Sequence, residues 1–211
     1  MPRPTTARRA APDPPGTVDQ ILDVAERLAQ TRGFNGFSYA DVATELGITK
    51  AGLHYHYPTK ADLGRALIER YSTTFGDALQ AIEASGEQAP AQLERYVDIY
   101  AGVLKAGRIC LCGMFAAEYT TLPDGMQKAI RGFFDLNERW LSRMLETGRK
   151  DGTLAFDGSP HEGAAAITAA LEGAMLLART YGGAERFRNA SRRVLNSFCV
   201  PRGDQPARRR R

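Results

Sequence analysis

Apolar residues recur along this chain every three or four positions, and no run alternates apolar with polar as a strand would. Residues 18–33 carry Ile21, Val24, Ala25, Leu28 and Ala29 on one side, with Gly33 as a stop. A long helix is predicted over 60–85, ended by Ser85-Gly86, and another from Pro90 to about 104 with Leu93, Tyr96, Val97 and Tyr100 on one face. A short helix is predicted over 114–119. Pro123 opens a long helix to about 150, with Ile130, Phe133, Phe134, Leu136, Trp140, Leu141 and Met144 mostly inward. Asp151-Gly152 then turns the chain. Ser159 and Glu162 form a capping box with Pro160 at the first helical position, and helices over 164–181 and 184–200 follow. The fold class predicted is all-α, with about nine helices.

Between the first helix and the long one lies a denser pattern, residues 38–63. Ser38 with Asp41 opens a short helix as a capping box, Thr49 is a good N-cap for a second, and Thr59 with Asp62 repeats the box for a third. Gly47 can take the left-handed backbone that ends the first of these sharply, and Ala43 is small enough for two helices to cross there. Val42, Leu46, Ile48 and Leu53 are spaced to bury one face, while Lys50, Ala51, His54 and Tyr55 fall on others. Two short helices around a tight turn form a helix-turn-helix, whose main use is to set a helix in the DNA major groove.

The run GFNGFSYADVATELGITKAGLHYHYPTKADL resembles the TetR/AcrR-type transcriptional regulators, and the resemblance covers roughly residues 17–71. It departs from the family pattern at His54-Tyr55-His56-Tyr57, where many members have two Tyr, His and Phe, and at Val42, where Ile is usual. The resemblance implies that Thr49, Lys50, Ala51, His54 and Tyr55 lie on the recognition helix and touch bases and phosphates. It implies also that His56 and Lys60 grip the DNA backbone, and that Ser38 is a phosphate-contacting cap. Lys and hydroxyl groups suit phosphate oxygens, and Tyr or His can reach a base edge. The partner implied is double-stranded DNA carrying a palindromic operator, read by two copies of the chain.

Charge qualifies this picture. The net charge of +4 and pI near 9.1 suggest a polyanionic partner, but the excess lies in the two ends. Residues 1–15 and 201–211 hold eight basic against two acidic side chains, leaving 20 basic and 22 acidic elsewhere. Residues 16–70 carry six basic and seven acidic, so DNA binding there rests on where particular groups point rather than on bulk charge. The ends themselves are Pro-, Arg- and Ala-rich and are expected to be disordered. The organisation expected is a basic tail over 1–15, a DNA-binding head over 16–62, a regulatory and dimerisation body over 63–200, and a second basic tail over 201–211. No apolar run approaches the ~20 residues that span a bilayer. The polar, proline-broken start is not a secretory leader, and three cysteines fit a reducing cytoplasm, the expected location.

In the body, Ala164, Ala165, Ala166, Ala169, Ala170, Gly173 and Ala174 form a small-residue surface flanked by Leu171, Leu176 and Leu177, and Val194, Leu195 and Phe198 offer apolar area on the last helix. These surfaces serve either intramolecular packing or a homodimer. The family resemblance favours the dimer, paired through the last two long helices. It also implies an unidentified small-molecule effector held among the body helices. Tyr96, Tyr100, Met114, Phe115, Tyr119, Phe133, Trp140 and Met144 supply an aromatic and Met-rich lining for it, with Glu118 as polar anchor. An aromatic stripe at helical spacing is equally the signature of ordinary core. Cys110 and Cys112, one residue apart, raise the alternative of a thiol-based sensor. There is no Gly-rich phosphate loop, nucleophile elbow, metal-ligand spacing or paired carboxylates, so neither catalysis nor a cofactor is expected.

Overall fold

A computed structural model of the chain describes residues 16–199, so both basic tails and the end of the helix expected to reach residue 200 lie outside the described residues. The described residues fold as nine α-helices: α1 (Thr17–Arg32), α2 (Tyr39–Leu46), α3 (Lys50–His56), α4 (Lys60–Ala84), α5 (Ala89–Lys105), α6 (Leu111–Ala117), α7 (Asp124–Lys150), α8 (Pro160–Tyr181) and α9 (Ala184–Asn196). A single 3-10 turn, Tyr119–Thr121, follows α6. The all-α expectation is met, with shifted bounds. The short helix starts at Leu111 because the Cys110 sulfur caps it, accepting from Gly113 N–H at 3.4 Å. The last helix stops at Asn196, and the chain turns back so that Phe198 C=O accepts from Ala155 N–H at 2.9 Å.

Helices α1 to α3 make a small head. Ile21, Leu22, Ala25, Leu28 and Ala29 bury one stripe of α1, as their spacing predicts. The 25-residue α4 crosses the expected 62/63 boundary without a break. Its first half buries Leu63, Leu67 and Ile68, and its second half Phe75, Leu79 and Ile82. The body wraps this second half: α7 packs on α4 and α8, and α9 closes over α5 and α8.

The body core is aromatic. Phe75 and Phe133 meet edge-on at 5.2 Å between ring centres, Tyr71 lies 5.4 Å from Phe133, and Tyr96 stacks on Trp140 at 5.5 Å. Tyr96 Oη donates to Asn137 Oδ1 at 2.9 Å and Asn137 Nδ2 donates to Phe133 C=O at 2.8 Å, while Trp140 Nε1, Thr168 Oγ1 and Glu172 Oε1 are buried without a hydrogen-bond partner among the described residues. Leu195 of α9 is buried, and Val194 and, just past the helix, Phe198 are half-buried and pack against the core, so these three residues take part in holding the body together. Phe133 touches four other aromatic or polar members of this cluster, so Phe133→Ala should cost about 3–5 kcal/mol of unfolding free energy, read from urea denaturation followed by circular dichroism.

Candidate nucleic-acid interface

The α2–turn–α3 unit is built from local hydrogen bonds that the sequence spells out. Ser38 Oγ accepts from Asp41 N–H at 3.4 Å, while Asp41 Oδ2 accepts from Ser38 N–H at 2.7 Å. Thr59 and Asp62 close the same box on α4, and Thr49 Oγ1 caps α3 by accepting from Gly52 N–H at 3.0 Å. Gly47 adopts φ 66°, and Ile48 N–H then reaches Ala43 C=O at 3.0 Å. Leu53 and Val42, both wholly buried, bolt α3 to α2. Tyr39 Oη donates to Tyr57 C=O at 2.8 Å, and burial pushes its pKa up to about 12.

This scaffold turns one face of α3 outward. Tyr55 is 81% exposed, the most exposed large apolar side chain described. Thr49, Lys50 and Ala51 are exposed beside it, as is Ser38 at the start of α2, and Lys50 forms no ion pair among the described residues. His54 is exposed but anchored. Its ring lies 4.6 Å from that of Tyr39, and Nδ1 is 3.1 Å from Pro58 C=O. A carbonyl only accepts, so Nδ1 carries the proton of this bond. His56 is half-buried, with its ring edge-on to Tyr55 at 5.3 Å.

Lys60 departs from expectation. Its ammonium is turned into the head, where it donates to the carbonyls of Phe34 and Phe37 and lies 4.6 and 4.5 Å over their rings. Burial lowers its pKa. The charge is engaged by these internal acceptors, so Lys60 ties the α1–α2 connection to α4 and is not offered to a phosphate.

Glu118 departs likewise. Expected as a ligand anchor, it accepts from Phe34 N–H at 2.7 Å and from Asn35 N–H at 3.2 Å, linking the end of α6 to the head. Asn35 Nδ2 donates to Thr121 Oγ1 at 3.0 Å, Ile109 N–H to Gln30 C=O at 3.4 Å, and the Arg179 guanidinium to Thr31 C=O. Asn35, Gln30 and Arg179 were not foreseen. They lie 79 to 148 residues from their partners, and no local pattern marks such pairs.

Most of the aromatic lining expected for an effector lies in the core. Tyr96, Tyr100, Phe115, Phe133, Trp140 and Met144 are buried against one another and their neighbours. Met114 and Tyr119 are half-buried and meet Arg179 and Arg131. Three clefts lie elsewhere: about 390 Å3 among α1, α4 and α5, about 280 Å3 beside the α8–α9 turn, and about 130 Å3 between α5 and α9. None of the nine expected residues lines these three. Cys110 and Cys112 are buried too, and burial, then Glu172, pushes both thiols well above the ordinary value. Thiolate is the reactive form, so this environment suppresses the chemistry a thiol sensor needs.

A three-helix head that exposes its third helix, carried on a larger helical body, is the build of a helix-turn-helix regulator. The chain belongs to the TetR family. Residues 21–67 match the bacterial regulatory proteins of the tetR family, and residues 89–194 match the tetracyclin repressor-like C-terminal domain. The chain is similar to the HTH-type transcriptional repressor NemR of Escherichia coli, 28% identical over 193 residues that cover 88% of this chain and 95% of that protein. A TetR-family regulator from Agrobacterium tumefaciens superposes with a TM-score of 0.83 at 31% identity, covering 86% of this chain and 97% of that one. One from Legionella pneumophila gives 0.79 at 32%, with the same coverage.

The two capping boxes make the head sensitive to acid. Hydrogen bonds from Ser38 hold Asp41 below its ordinary value of 3.8, and those from Thr59 do the same for Asp62. A carboxylate whose pKa is depressed on folding stabilises the fold fully above its unfolded value and loses that contribution as pH falls through the folded one. Amide protection of residues 38–63 should therefore hold above about pH 3.8 and decline below it. Asp41→Asn with Asp62→Asn should flatten that decline, which hydrogen exchange followed by mass spectrometry would show.

Proposed function

We propose that the protein is a dimeric repressor that binds a palindromic operator through α3 and leaves it when a small molecule binds. The observation that carries this reading is the outward face of α3. A short helix held by caps and a buried Leu53 presents Tyr55, Lys50, Thr49 and Ala51 to solvent, and no part of the chain described covers them. The exposed Thr49 hydroxyl, with the Lys50 ammonium, suits phosphate oxygens, and Tyr55 and His54 can meet base edges or sugars. The Ser38 hydroxyl donates to Asp41 Oδ2 at 2.6 Å, so Ser38 contributes as the cap that holds α2. The Escherichia coli relative is itself named a repressor, which supports repression here.

Dimerisation is supported by α8. Leu176 is 48% exposed, Leu177 52% and Tyr181 69%, and Ala169 and Ala166 are exposed about two and three turns before Leu176. A stripe of small residues ending in large apolar ones lets a second helix approach closely and then bury area. The outward residues of α9, among them Arg186, Asn189 and Arg193, are polar and make the rim. Two heads held this way read half-sites about 34–36 Å apart, or a multiple of that spacing.

Selection of bound duplexes from a random library should return a palindrome. Lys50→Ala and Tyr55→Ala should each weaken retention of that duplex by roughly 1–3 kcal/mol, about tenfold or more, with the unfolding midpoint unchanged. Retention by both variants equal to that of the parent would overturn the assignment of α3. Leu177→Glu should convert the dimer to a folded monomer in sedimentation velocity. A parent chain that sediments as a monomer, or a variant that still pairs, would remove the α8 interface.

A further inference from the structure

The 390 Å3 cleft has one wall on the head and one on the body. Glu26 and Gln30 come from α1, Tyr71 and Phe75 from α4, and Ile99 and Val103 from α5. Its volume falls in the range of small-molecule sites, and its floor and walls are mostly apolar. Two groups in it lack partners. Gln30 is only 2% exposed, yet its side-chain oxygen accepts no hydrogen bond. Arg108, half-buried at the edge, meets no carboxylate or other acceptor through its guanidinium among the described residues. The two are neighbours, because the residue after Arg108 donates its N–H to the Gln30 carbonyl. Glu26, the carboxylate on this wall, is already paired with Arg70 at 2.8 Å.

From this we infer that the α1–α4–α5 cleft is the effector site, and that it takes an apolar organic monoanion bearing a hydrogen-bond donor. The apolar body lies on Phe75, Ile99 and Val103, the anion meets Arg108, and the donor satisfies Gln30. The inference rests on the regulator reading above and assigns that reading's ligand. Occupancy acts on the head directly. The end of α1 is held to the body by Ile109, Arg179 and Glu118, and a molecule wedged between α1 and α5 stresses those links. The head then shifts about α4, and a ligand that favours the shifted form lowers affinity for DNA.

The test uses 1-anilinonaphthalene-8-sulfonate, an apolar monoanion with one N–H donor, added to the full chain and followed by fluorescence. Saturable binding of about one molecule per chain is expected. Arg108→Gln should weaken it about tenfold, the usual scale for losing a charge-assisted hydrogen bond. Gly102→Leu should weaken it at least as much. A side chain at this cleft residue enters open space, and leucine favours the helix, so the fold is kept. Arg192→Gln, in the α5–α9 cleft, should change nothing. N-phenyl-1-naphthylamine, which lacks the sulfonate, should be indifferent to Arg108→Gln. Unsaturable signal, or parental affinity in both Arg108→Gln and Gly102→Leu, would overturn the site. Operator retention is read separately. If the sulfonate binds in the cleft and the operator is held as tightly as before, the coupling is refuted. If no duplex is retained at all, the regulator reading falls while the cleft stands.

Discussion

The connection between α1 and α2 leaves backbone groups that no helix can satisfy, and the junction of head and body is built on meeting that need. Phe34 and Asn35 present N–H groups, and Phe34 and Phe37 present carbonyls, in a stretch whose aromatic rings are buried. An unpaired buried backbone group costs about 1–3 kcal/mol. Glu118 comes from the body to take the N–H groups, and Lys60 comes from the start of α4 to take the carbonyls. Two opposite charges thus converge on one loop. The Glu118 field also opposes the fall in Lys60 basicity that burial imposes. The orientation of the DNA-reading helix follows from this, since α2 starts where the loop ends.

Helix α4 carries that geometry onward. Gly64 lies under the ring of Phe34 and the thioether of Met126, where even a Cβ would sit within 2.6–2.7 Å of their atoms. Only glycine lets α4 come this close to the head and to α7 at once. Past that point the helix buries Phe75 in the aromatic core, so one continuous rod touches the reading head and the centre of the body. Continuity makes small tilts of α4 costly to absorb locally, and motion at the α1–α5 cleft is passed to α2 and α3 as rotation of the whole head.

What the sequence disclosed follows the range of the interactions involved. The caps at Ser38, Thr49, Thr59 and Ser159 pair residues three apart, so they were legible, and with them the helix-turn-helix. Burial of the aromatic stripe was legible from its period. Whether the stripe enclosed space was not, because periodicity reports which face is inward and says nothing of how rings such as Tyr96 and Trp140 fill it. Apolar Val194, Leu195 and Phe198 were legible as contact residues, but the direction of the first two depended on how α9 packs on α5 and α8, and that of Phe198 on a turn after Asn196 that brings it back to Ala155. Glu118 and Lys60 show the same limit in charge: nothing in the local context of either marks its partner, which is a loop 84 or 26 residues away.

The charge pattern of the head has a consequence for how it can hold DNA. Arg27 pairs with Glu45, Arg32 with Asp41, Arg65 with Asp62 and Glu69, and Arg70 with Asp23 and Glu26, while Lys60 is internal. Exposed pairs of this kind contribute only about 0–1 kcal/mol each to stability, yet they orient α1, α2 and α4 and occupy cations that would otherwise face phosphates. Among the basic side chains of the described head, Lys50 is the one left without a carboxylate or carbonyl partner. In the proposed complex the head therefore relies on the Thr49 hydroxyl and on backbone donors at the starts of α2 and α3, groups whose value lies in direction more than in charge. Direction survives only while the caps and the α1–α2 loop hold their geometry. A site that strains the links at Gln30, Thr31 and Phe34 is consequently well placed to control it.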